Sequence, residues 1–165
     1  MEVLLSELVD VLEREAGVLD QLLSAATDKQ MALLSSSASA VPEIARREES
    51  LVAGMAGLER RRSELSAGLG ALMGVSGDSL TLSSIIAATR GETAGELRKL
   101  QTLLVARSHR LDEVNRENAL LLAQSIDLAQ AWLSAISGEV PSRTYGPSGR
   151  VNNPHVGISA VSARL

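Results

Sequence analysis

The chain has 165 residues, a formal net charge of −4 and no cysteine, which excludes disulfides, thiolate zinc sites and a cysteine nucleophile, and leaves no basic footprint for nucleic acid. Its apolar content is aliphatic, with no Phe, one Trp and one Tyr, a profile that suits helix-on-helix packing. The opening "MEVLLSELVD" carries acid where a signal peptide carries base, and no apolar run is read as approaching the roughly 18 residues of a membrane span; a cytoplasmic chain without membrane insertion is expected.

From Glu2 to about Ser35 there is no proline, and Leu4, Leu5, Leu8, Val11, Leu12, Val18, Leu19, Leu22, Leu23, Leu33 and Leu34 recur at helical spacing. One long helix is predicted. Gly17 inside it costs about 1 kcal/mol against Ala. The serines of "SSSAS" at 35–39 then compete for backbone hydrogen bonds and favour a turn.

Ser39 or Ala40 opens a second helix, with Pro42 in the first turn, where a missing N–H does no harm. Ile44, Leu51, Leu58, Leu65 and Leu72 are spaced by seven, with Met55 and Leu69 at alternate seam positions. That spacing predicts a continuous apolar stripe and shallow-angle, coiled-coil-like packing. "GVSGDS" at 74–79 reads as a turn, "LTLSSIIAATRG" as a short helix, and Gly91 with Thr93 as a restart.

From about Glu92 to Ser137, Leu97, Leu100, Leu104, Leu111, Val114, Leu121, Leu122, Leu128, Trp132 and Ile136 define a third long helix on the order of 65 Å in length. Gly138 and Pro141 terminate it. The expected fold is all-α: an elongated antiparallel bundle of three long helices over residues 1–138, with a short helix between the second and third. A tail rich in Pro and Gly follows over 139–165. Such stripes close within one chain or by exchange of helices between two, so a homodimer is an alternative to a monomer.

Little in the sequence can do chemistry. Its two histidines, His109 between Arg107 and Arg110 and His155 in the tail, have no partner by spacing, and His109 reads as a solvated helix residue. "GLGALMG" at 68–74 and "GPSG" at 146–149 lack the strand-to-helix context of phosphate loops. No enzyme, cofactor or metal site is expected. The basic run "ERRRSE" at 59–64, with Arg46 and Arg47, interleaves with Glu43, Glu48, Glu49, Glu59 and Glu64, which predicts intrahelical ion pairs on a solvated face. Arg62 falls on the heptad seam, its stem covering apolar surface while its head stays wet.

Asn115 and Asn118 lie in "LDEVNRENALLLAQ", and Asn118 is seven residues past Leu111, on the same helical face. An amide on that face must find partners. A register-fixing hydrogen bond to a neighbouring helix is the favoured role, and direct ligand contact is the alternative.

The first helix with "LLSAATDKQMALLS", the second with "REESLVAGMAGLERRR", and "NRENALLLAQ" followed by "TYGPSGR" together resemble the FlgN family of flagellar export chaperones across nearly the whole chain. The resemblance implies a small acidic cytoplasmic protein that binds terminal segments of the hook-filament junction proteins FlgK and FlgL. It would prevent their early assembly and pass them to the type III export gate. It also implies substrate-binding determinants toward the C-terminus: Leu128, Trp132, Leu133 and Ile136, then Tyr145, Gly146, Gly149, Ile158, Val161 and Leu165. Trp132 reads equally as core or as contact. Ile158, Val161 and Leu165 fall at i, i+3 and i+7, which predicts a short amphipathic helix that folds back or orders on binding. Without the resemblance, the residues describe a generic coiled-coil adaptor or structural bundle.

Overall fold

The computed structural model describes residues 1–35, 37, 39–75 and 80–137. They form four helices, α1 (Glu2–Leu34), α2 (Val41–Met73), α3 (Leu82–Ala88) and α4 (Glu92–Ser137), and no strand occurs among them. The fold class is all-α. The chain divides into two compact units, Met1–Ser125 and Ile126–Leu165. Within the second, the described residues are the last turns of α4. Residues 76–79 and the tail, including Tyr145, Gly146, Gly149, His155, Ile158, Val161 and Leu165, lie outside the described residues.

The helix ends follow local chemistry. Ser35 closes α1 by donating its N–H and its hydroxyl to Met31 O. Pro42 occupies the first turn of α2, where its absent donor is one the helix could not use. Gly74 ends α2 in the left-handed region, φ 67°, and Val75 N–H donates back to Gly70 O at 2.9 Å; glycine meets that backbone demand without strain. Thr81 and Ser84 form a reciprocal capping box at the start of α3, which satisfies two otherwise orphaned donors. Gly91, φ 77°, directly precedes α4.

The first unit holds the core. Leu5, Leu8, Val11 and Leu12 of α1 form one core with Leu65 and Leu69 of α2, Ile85 and Ile86 of α3 and Leu97 of α4. Early residues of α1 pair with late residues of α2: Glu7 with Arg61 and Glu15 with Arg62, whereas Asp28 pairs with Arg47 and Lys29 with Glu48. Those two helices therefore run in opposite directions. Along α4 the order matches α1, since Arg107 reaches Ala16 and Asp20, and Asn118 reaches Ala26.

Two expectations change here. The heptad stripe of α2 is not evenly covered: Leu65 and Leu69 are buried, Ile44, Leu51, Met55 and Leu58 are half-buried, and Leu72 is exposed. A straight helix drifts about 20° per heptad against a strict repeat of seven, so four heptads carry Leu72 well off the line begun at Ile44. The basic run pairs mostly across helices rather than within α2. Arg61–Glu64 is an intrahelical pair, but Arg47, Arg61 and Arg62 all reach carboxylates of α1.

Candidate functional site

The last turns of α4, the described part of the second unit, carry four of the sequence-derived site residues. Leu128, Trp132, Leu133 and Ile136 are all exposed, Trp132 by 63% and Ile136 by 81% of its surface. Trp132 is therefore a surface side chain in this structure and not a core one. Counting about 100° per residue, Ile126, Leu128, Trp132, Leu133 and Ile136 fall within an arc of about 160°, and Asp127 and Gln130 fall outside it. The result is an amphipathic helix face with its apolar side in water. Monomeric proteins seldom leave such contiguous surface uncovered.

Helix α4 also contains an 18-residue window of mean hydropathy 1.3, none of it buried. By length and composition alone it is sufficient to cross a membrane. The expectation that no apolar run approaches a membrane span missed this, because Gln and Asp interrupt the run without lowering its mean far.

The two asparagines separate in the first unit. Asn118 is buried, and its Nδ2 donates to Ala26 O at 2.7 Å, while Asn115 is exposed. Small side chains make that bond possible. Ala25 and Ala26 are fully buried, so no bulky group stands between the amide and the α1 backbone. Asn118 Oδ1 has no hydrogen-bond partner.

A buried charge was not foreseen. Glu15 is 6% exposed, and its Oε1 accepts from Arg62 Nε at 3.0 Å. The signal was present: Glu15 is seven residues after Leu8 and seven before Leu22, so it shares their face, and Arg62 sits on the facing seam. A cleft of about 430 Å³ beside this pair is lined by Leu19, Leu22, Val52, Met55 and Leu104. Arg107 was also missed; it donates to Ala16 O at 3.0 Å and pairs with Asp20 at 2.7 Å.

Among the described residues no group of three or more His, Asp or Glu side chains is placed to hold a metal ion, and His109 is exposed. Hydrogen bonds from Arg61 to Glu64 and to Glu7 raise its pKa above the ordinary arginine value. A raised base contributes stability below its unfolded pKa and loses it only as pH climbs through the folded one. For arginine that window lies beyond any working pH.

Residues 1–153 match the family model described as FlgN protein. The chain belongs to the FlgN family. FlgN is a family of flagellar chaperones. The match extends past α4 to include Tyr145, Gly146 and Gly149, and ends before Ile158, Val161 and Leu165. No curated protein and no solved structure matches the chain.

Proposed function

We propose that this FlgN-family chain is a cytoplasmic export chaperone for the hook-filament junction proteins FlgK and FlgL, binding their terminal helical segments and delivering them to the type III export gate. The supporting observation is the exposed apolar arc of α4 formed by Leu128, Trp132, Leu133 and Ile136. An amphipathic partner helix binds such a face through anchors at i, i+3, i+4 and i+7. Trp132 is the rigid anchor, of the kind that concentrates binding energy at interfaces. In this reading residues 1–138 are an elongated antiparallel three-helix scaffold with coiled-coil-like packing. The tail over 139–165 adds Tyr145, Gly146, Gly149, Ile158, Val161 and Leu165, either covering the arc until substrate displaces them or ordering on binding.

Calorimetry with the terminal helices of FlgK and FlgL tests the reading. The intact chain is expected to bind, and Trp132→Ala to weaken binding about 30-fold, or roughly 2 kcal/mol, with no change in melting. Truncation after Gly138 is expected to weaken binding and leave helicity intact. An intact chain that binds neither segment overturns the assignment.

The unburied hydropathic window of α4 favours a second reading, in which the same face meets a lipid surface. Residues 118–137 contain no Lys or Arg, whereas interfacial helices use basic residues to hold anionic headgroups. Flotation with anionic vesicles separates the two, and the chaperone reading expects the chain to stay unbound.

A further inference from the structure

Among the described residues, the one buried side-chain polar atom without a hydrogen-bond partner is Oδ1 of Asn118. The residue is 4% exposed, and its Nδ2 is already engaged by Ala26 O. Interiors keep few unmet amide oxygens, because each gives up its bonds to water for nothing. Against this side chain lies a cavity of about 240 Å³, walled by Lys29 and Leu33 of α1, Val41 of α2, and Ala119 and Leu122 of α4. Asn115 also lines it, and as an exposed residue it keeps its amide in water.

We propose that this cavity receives a tryptophan or tyrosine side chain from a partner polypeptide. The ring lies on the aliphatic wall and its N–H or O–H donates to Asn118 Oδ1. Asn118 lines the cavity, and its Nδ2 stays bonded to Ala26 O while Oδ1 takes the incoming donor.

The chemistry narrows the occupant by elimination. A dry cavity of about 150 Å³ holds benzene, so the larger space here admits a phenol or an indole. Leu or Phe would leave Oδ1 unmet. Ser or Thr would leave the Leu33, Val41 and Leu122 wall uncovered. A Lys or Arg tip would bring a second cation beside Lys29, and a carboxylate has no proton to donate. Lys29 gives two of its three ammonium donors to Glu48, at 2.6 and 2.8 Å, and a lone water beside the third would leave the Leu33, Val41 and Leu122 wall uncovered. A neutral donor on a flat apolar ring satisfies every wall at once.

This site belongs to the first unit, and it stands whether or not the arc of α4 binds FlgK and FlgL. The test is an NMR titration of the full chain with N-acetyl-tryptophanamide, N-acetyl-tyrosinamide and N-acetyl-phenylalaninamide, following the Asn118 amide and the Leu33, Val41 and Leu122 methyls. The first two are expected to shift these signals with affinities at least about ten-fold above the phenylalanine probe, the usual consequence of leaving a buried acceptor unmet. Asn118→Leu removes the acceptor and is expected to bring all three probes to the weak phenylalanine level. Should Asn118→Leu not fold, Ala119→Phe, which fills the cavity at an exposed position, is expected to abolish all three responses. Equal binding of the three probes to the parent chain overturns the proposal, as do shifts confined to other regions. Trp132 and Tyr145 are the chain's own rings. A concentration-dependent shift of the cavity signals without probe, lost in Trp132→Phe or Tyr145→Phe, would assign the cavity to a second copy and overturn the partner.

Discussion

Leu8, Leu12 and Leu97 on one hand, and Leu128, Leu133 and Ile136 on the other, come from the same kind of sequence: aliphatic residues at helical spacing on long helices. The first group is essentially withdrawn from water, while the second is at least 60% exposed. Periodicity records that a helix face requires cover. It does not record what supplies it, because cover depends on which neighbour passes at that level. Around Leu97 the neighbours are α1, α2 and α3; along the end of α4 the same requirement is left unmet, and an exposed Leu or Ile forgoes about 1.5–3 kcal/mol of burial. In the proposed function, a partner helix meets that requirement.

The sharpest way to break this contrast is to truncate one leucine from each group. Leu97→Ala, at 0% exposure, is expected to cost about 3–4 kcal/mol through lost transfer and a residual cavity. Leu128→Ala is expected to stay within about 0.5 kcal/mol. Urea unfolding followed by circular dichroism reads both. A cost above about 2 kcal/mol for Leu128→Ala would mean the α4 face is covered in the free protein, and the contrast would be void.

Charges show the same division at smaller scale. Arg62→Ala is expected to destabilise by about 2 kcal/mol, because it strands the buried Glu15 carboxylate. The partly exposed guanidinium moderates the loss. Replacing both residues, Glu15→Leu with Arg62→Met, is expected to recover most of it, since an apolar pair needs no mutual compensation. If Arg62→Ala costs nothing in denaturant titration, water reaches Glu15 and the seam is looser than its burial indicates.

How much of this was legible in the sequence follows from what sets each feature. Helix existence and limits depend on local chemistry, so "SSSAS", Pro42, Gly74 and Gly91 marked boundaries that the structure bears out within a residue or two. Pair identities depend on which faces meet. The basic run of α2 therefore read as intrahelical, when Arg47, Arg61 and Arg62 in fact reach α1. Glu15 was legible in principle from its heptad position but was overshadowed by its leucine neighbours. Exposure at Trp132 was not legible at all. The stripe through Leu128 and Ile136 looks the same whether a neighbour is present or absent.

Glycines sharpen the contrast on the backbone side. Gly17 lies inside α1 with nothing within 4 Å of the place an added methyl would take, so Gly17→Ala is expected to raise stability by about 0.5–1 kcal/mol. Gly91 has equally open space but φ 77°, and Gly91→Ala is expected to lower stability by about 1 kcal/mol. Opposite shifts in melting temperature for the same chemical change would show that backbone angle, and not free volume, governs tolerance in the covered unit. Equal signs would contradict the assigned turn into α4.

The smallest effect is expected on the open side of α4. Arg110 Nη1 meets Glu113 Oε2 at 3.0 Å, but the two side chains are 58% and 62% exposed. Arg107, three residues earlier, is 25% exposed and reaches the backbone and a carboxylate of α1. Water competes for each bond of the exposed pair, and ordering two long side chains offsets much of the Coulomb gain. Arg110→Ala is accordingly expected to change stability by no more than about 0.5 kcal/mol, and what change there is to fade in high salt. A larger, salt-resistant loss would place Arg110 against a surface that removes it from water, and this part of α4 would join the covered group.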